Sequence, residues 1–151
     1  MTIITSNTTI ACPIADVFDF AVDLRNELHW NPKVERMVKI TDQPIGVGTK
    51  MRGKWTKSKE IELECIRFDP PHGWTWVNGG PVSVTFDVTL TEVDGGTRLD
   101  STFDATPHGL FRLIFPVFIR MMRKEEARNM TLLKAHLESR SATDPTRMSP
   151  S

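Results

Sequence analysis

Val82-Ser83-Val84-Thr85-Phe86-Asp87-Val88-Thr89-Leu90-Thr91 alternates apolar and polar side chains without a break. A period of two marks a strand with one covered face and one wet face, the habit of antiparallel sheets. The segments on either side repeat it. Leu99, Phe103 and Ala105 alternate with Arg98, Asp100, Thr102 and Asp104. Ile61, Leu63 and Cys65 alternate with Glu60, Glu62 and Glu64, and Met51, Gly53 and Trp55 with Lys50, Arg52 and Lys54. Val34, Val38 and Ile40 share one parity, with Glu35 and Lys39 on the other. Residues 2–10, rich in Thr and Ile, read as a further strand. Turn chemistry separates these runs at Pro44-Ile45-Gly46, Asp69-Pro70-Pro71-His72-Gly73, Asn78-Gly79-Gly80-Pro81 and Asp94-Gly95-Gly96.

Two stretches break the alternation. Pro13 suits the first position of a helix. Val17, Phe20, Ala21 and Leu24 then fall at helical spacing, so 13–24 reads as a short amphipathic helix with Asp16, Asp19 and Asp23 on its other face. Those carboxylates suit a solvated face or, at three and four apart, acid–base or metal chemistry. A second short helix is predicted from Leu24 to Trp30, stopped by Pro32. From about Leu110 to Leu137 the period is again helical. Phe111, Phe115, Ile119, Met122, Met130, Leu133 and Leu137 form one stripe, with Arg120, Arg123, Lys124, Thr131 and Lys134 opposite. Pro116 should open or kink this helix unless it lies in the first turn. A meander of strands followed by one long helix is an α+β layout, the helix covering the apolar face of a curved sheet.

Composition limits the functions. The 151 residues suit one domain. Lys plus Arg and Asp plus Glu both number 19, so no basic excess points to nucleic acid as a partner. Cys12 and Cys65 are too few for a disulfide scaffold. No apolar run reaches the roughly 20 residues of a membrane span, and residues 1–7 lack the basic and apolar blocks of a signal peptide. The expected setting is a reducing cytoplasm. Residues 1–138 read as the domain, and 139–151, poor in apolar residues, as a disordered tail.

The order of elements and several phrases resemble the START-like, helix-grip superfamily, in its polyketide cyclase/dehydrase-like branch. The phrases are Ala11-Cys12-Pro13-Ile14-Ala15-Asp16-Val17-Phe18, Trp30-Asn31-Pro32, Gly46-Val47-Gly48-Thr49, Asp69-Pro70-Pro71, Gly95-Gly96-Thr97-Arg98-Leu99 and Leu132-Leu133-Lys134-Ala135-His136-Leu137-Glu138. The resemblance implies a helix-grip fold: a curved antiparallel sheet of about seven strands around a long C-terminal helix, with two short helices after the first strand. It implies no single activity, because the superfamily includes lipid carriers, receptors, cyclases, quinone-binding proteins and co-chaperone modules.

One helix does not fill a strongly curved sheet, so a hollow is expected between the two, apolar with a few placed polar groups. Its candidate lining is Trp30, Trp55, Trp76, Phe86, Phe103, Phe115, Ile119 and Met122; the same side chains also suit an ordinary core. Four Trp and seven Met favour an adaptable binding surface. Glu126 stands in the middle of the helix stripe with Asn129 near it. Burial there would lift its pKa towards that of a general base at neutral pH; a salt bridge or a stripe that reaches solvent are the plainer readings. His29, beside Trp30, would sit at a pocket mouth as a second proton carrier, and His108 opens the loop before the long helix. His72 and His136 read as surface residues, and Cys65 and Cys12 as structural. Lys50, Arg52, Lys54, Lys57 and Lys59 face Glu60, Glu62 and Glu64 and suit cross-strand pairing.

The chain contains no H-E-x-x-H, C-x-x-C, P-loop, G-x-G-x-x-G or G-x-S-x-G pattern, so neither metal nor cofactor is expected. Three functions follow. The first is binding of a small hydrophobic molecule, lipid, polyketide-like or quinone-like, by a monomer or homodimer. The second is a cyclase or dehydratase, with Glu126 or His29 moving protons. The third is a co-chaperone-like module that binds a protein on its outer surface.

Overall fold

The computed structural model describes residues 2–143. Its elements run β1 (Thr2–Ile10), α1 (Ile14–Ala21), a 3-10 helix (Leu24–His29), β2 (Val34–Lys39), β3 (Lys50–Trp55), β4 (Ile61–Asp69), β5 (Gly73–Asn78), β6 (Val82–Val93), β7 (Gly96–Pro107) and α2 (Phe111–Thr143). The seven strands form one antiparallel sheet in the order β1-β7-β6-β5-β4-β3-β2. The first strand therefore lies beside the last, while β2 to β7 form a meander. This is the α+β, helix-grip arrangement expected from the alternation and the terminal helix.

Register puts the large side chains of neighbouring strands in rows across the covered face. Trp76 pairs with Cys65 on one side and Phe86 on the other, Phe86 with Phe103, and Phe103 with Ile4. Two bulges alter the simple parity. In β2 the register shifts between Val34 and Arg36. An inserted residue turns the strand over, so Met37 becomes buried while Val38 and Ile40 face outward. This corrects the expectation that Val34, Val38 and Ile40 share the covered face. A second shift between Cys65 and Arg67 leaves Ile66 exposed and brings Phe68 against the core.

The charged outer face pairs across strands. Arg52 meets Glu60 at 3.2 Å, Lys50 meets Glu62 at 3.8 Å, and Lys54 reaches Glu35. On the same side Arg67 donates to the Asp87 carboxylate and to the carbonyl oxygens of Trp74 and Val88.

α1 is shorter than the predicted 13–24. Pro13 stands just before it in an extended conformation, not inside its first turn. Ile14, Val17, Phe18 and Phe20 are buried, and the Phe18 ring packs edge-on against Phe68 and Trp74. Asp23 then caps the 3-10 helix by accepting from the Arg25 N–H. α2 lies against β1 and, more lightly, β7. Its C-terminal end is tied down by polar contacts. Lys134 donates to the Thr9 carbonyl, the Ala11 N–H donates to Glu138, and the Cys12 thiol donates to the Leu137 carbonyl. The helix continues through Pro116, which lies in its second turn and not at its start. It also runs to Thr143, five residues past the predicted domain boundary at 138. The rest of the expected tail, 144–151, lies outside the described residues.

Gly96 shows how closely the sheet end meets the corner after β1. A Cβ there would stand 2.0 Å from the Ile10 carbonyl oxygen and 3.0 Å from the Ala11 Cα, backbone atoms that cannot rotate away. Gly96→Ala is expected to cost about 2–3 kcal/mol. Thermal denaturation followed by circular dichroism checks this, and an unchanged melting temperature would contradict the close approach.

Candidate functional site

Burial of a carboxyl group without a cation is costly, and Glu126 is such a group, with the half-buried Glu27 close enough to feel its charge. Glu126 on α2 is only 7% exposed. Burial raises its pKa from 4.5 to about 7, and neighbouring Glu125 adds to the rise. Glu27 on the 3-10 helix is also lifted to about 7, first by burial and then by the charge of Glu126. The buried Asn31 opposes this by donating an amide N–H to Glu27 Oε2 at 3.4 Å. Asn31 is held in turn by the Lys33 N–H, which donates to its Oδ1 at 3.0 Å, and its own N–H donates to the Glu27 carbonyl. One turn along α2, the Asn129 Oδ1 is buried without a hydrogen-bond partner. Glu126 is thus a protonatable group with an idle acceptor one helical turn away on α2. At neutral pH such carboxyls can give or take a proton.

Glu126 is thus buried in the apolar stripe with its pKa raised. The salt-bridge alternative does not describe it, since among the described residues the ion pairs of this helix involve Glu125 and Glu138. Glu27 and Asn31 escaped the sequence reading. A partial signal was present: Glu27 falls three residues after buried Leu24 in the predicted helix, and Asn31 follows that helix directly.

One turn before Glu126, Met122 belongs to an apolar cluster under the first half of α2. Its buried members are Ile4, Val82, Phe103, Ala105 and Ile119. Val84, Phe86, Phe111, Phe115, Phe118 and Met122 pack on it while remaining partly exposed. The structure thus gathers the predicted Phe86, Phe103, Phe115, Ile119 and Met122 in one place. It puts the other predicted lining residues elsewhere. Trp76 is buried in the main core and donates its indole N–H to the Val22 carbonyl at 3.2 Å. Trp30 and Trp55 pack half-buried against that core, the Trp55 ring lying over Gly53. Phe86 touches both clusters.

His29 is not beside Glu126. It lines an open cleft of about 540 Å³ with Asp16, Asp19, Phe20, Asn26, His136 and Arg140, between α1, the 3-10 helix and the far end of α2. There the rings of Phe20, His136 and His29 stack in series at 5.2 and 6.2 Å, and the Arg140 guanidinium sits over Phe20. Burial and the charge of Arg140 lower the His136 pKa. A second cleft, of about 410 Å³, is formed by residues from Ile40 to Thr49. Neither cleft lies between the sheet and α2, where the hollow is expected. His108 shares a 2.7 Å hydrogen bond with Ser83 and is exposed, as is His72. Among the described residues no group of three or more His, Cys, Asp or Glu could hold a metal ion.

Comparison with known proteins agrees with this architecture. The profile of one family, described as polyketide cyclase/dehydrase and lipid transport, matches residues 1–138. No curated protein matches the sequence. Among solved structures, the chain is similar to an aromatase/cyclase from Streptomyces sp. R1128, with 12% identity and a TM-score of 0.75 over 92% of this chain and 94% of that one. It is similar to the protein TTHA0849 from Thermus thermophilus, with 16% identity and a TM-score of 0.75 over 93% and 99%. It also resembles Ara h 8.0201, with 16% identity and a TM-score of 0.70 over 91% and 98%. At such identities the likeness is one of fold.

Proposed function

The chain belongs to the polyketide cyclase/dehydrase and lipid transport family, and from that premise we propose that it binds a small hydrophobic molecule between the first half of α2 and the sheet. The observation that carries this reading is the half-closed cluster of Val84, Phe86, Phe111, Phe115, Phe118 and Met122, one helical turn from the buried Glu126. An apolar surface with a polar end is the usual composition of a ligand site. A molecule seated on that cluster reaches Glu126 and the idle Asn129 Oδ1 with its polar end. A compound with a hydroxyl or enol group at one end fits, because it can donate to that acceptor.

An environment-sensitive naphthalene dye is the direct probe. It is expected to brighten on binding, and Phe86→Asp should weaken its retention about tenfold or more by placing a charge in the apolar wall. Equal brightening by parent and variant would exclude this site.

The carboxyl pair supports a second reading, proton transfer of the cyclase or dehydratase type. A carboxyl near pKa 7 can remove a proton beside a ketone and return it to the oxygen that leaves or enolises. Cyclisation of a short poly-β-ketone thioester, followed by product absorbance, separates the two readings. Glu126→Gln then abolishes turnover while dye binding persists; a chain that binds but never turns over is a carrier.

A further inference from the structure

The first half of α2 is apolar on two opposite sides. Its inner side rests on the cluster just described. Its outer side carries Leu110 immediately before it, then Leu113, Ile114, Val117 and Met121, and these are 85, 81, 54, 74 and 52% exposed. At roughly 100° per residue the outer five fall within one sector, opposite Phe115, Ile119, Met122 and Glu126. So large a contiguous apolar stripe on a surface marks a docking site.

Charge identifies what docks. Between Asp104 and Glu125 the chain contains Arg112, Arg120, Arg123 and Lys124 and no Asp or Glu. All four cations are exposed. At the same spacing Arg120 and Lys124 border the stripe, while Arg112 and Arg123 lie farther round the helix, towards its inner side. A second copy meeting this face about a twofold axis would bring these cations against the same cations. An anionic lipid surface offers what both parts require, acyl chains for the apolar stripe and phosphates for the cations beside it. Among the described residues no helix is long and apolar enough to cross a membrane, so the segment would lie in the interface plane with its axis along the surface.

We propose that residues 110–124 dock the protein on the surface of an anionic membrane, through Leu110, Leu113, Ile114, Val117 and Met121 with Arg120 and Lys124 on the headgroups. The docking stands whether or not the interior holds a ligand, because the outer stripe shares no side chain with the inner cluster.

Co-sedimentation with sucrose-loaded vesicles tests it. The full chain should bind phosphatidylcholine vesicles containing phosphatidylserine about tenfold or more tightly than phosphatidylcholine alone, and the preference should fade in high salt. Leu113→Glu with Val117→Glu should abolish retention on both. Arg120→Glu with Lys124→Glu, which leaves the apolar stripe intact, should remove the anionic preference. Circular dichroism confirms that each variant is folded. Equal retention of parent and variants would overturn the proposal. So would no retention on anionic vesicles, or a solution dimer that Val117→Glu turns into monomer.

Discussion

Glu126→Gln is expected to raise the melting temperature by about 6–12 °C at pH 8 and to leave it nearly unchanged at pH 4.5. The direction follows from linkage. In the folded chain the Glu126 pKa is about 7, against an ordinary 4.5. Between those values the folded state holds a proton that the unfolded state has released, so stability falls as pH rises through that window. Below 4.5 both states are protonated and the loss is absent; above 7 it is complete. A rise from 4.5 to about 7 corresponds to about 3 kcal/mol. Glutamine keeps the shape of the protonated acid and cannot ionise, so it escapes the loss. It also removes the charge that lifts Glu27, so the Glu27 pKa should fall in the variant, a change readable by carbon-detected NMR titration. A melting-temperature gain of equal size at both pH values would show that Glu126 is not the ionising group.

Trp76→Ala is expected to cost about 3–5 kcal/mol, read as a lower urea midpoint at unchanged slope. Trp76 is 1% exposed and lies between Cys65 and Phe86 in the sheet, so truncation leaves a cavity where the two apolar clusters meet. It would also leave the Val22 carbonyl without the indole N–H it now accepts. Trp74 offers the control. It is equally deep at 2%, but its indole nitrogen has no hydrogen-bond partner. Trp74→Phe therefore removes an unsatisfied donor, whereas Trp76→Phe removes a bond and strands an acceptor. The first should be the milder of the two by about 1 kcal/mol or more. The opposite order would mean that ring volume, not the hydrogen bond, decides.

Both predictions concern residues that the sequence displayed unequally. The strands were legible because their period of two survives in nearly every run. The bulges at Glu35 and Ile66 were not, since one inserted residue leaves no mark on composition, and Val38 and Ile40 were consequently put on the wrong face. Glu126 was visible because it interrupts an apolar stripe. Glu27 was hidden because the apolar residues around it are too few to make a stripe for it to break. The aromatic residues were legible as buried or half-buried. Alternation cannot say whether the space beneath a helix is open or filled, and here Trp76 turned out to hold the core together. The outer stripe from Leu110 to Met121 obeys the same arithmetic as the inner one, but it passes unnoticed once a single apolar face is assumed.

The pairing of β1 with β7 also bears on how the chain reaches its fold. Thr2 finds its partner at Ala105, and the corner at Ala11 waits for Glu138. During synthesis the six-strand meander can zip up hairpin by hairpin, but β1 has no mate until β7 has been made. Such distant closures fold slowly. In refolding experiments the earliest amide protection should therefore appear in β6 and β7, with β1 and the end of α2 gaining it together and last.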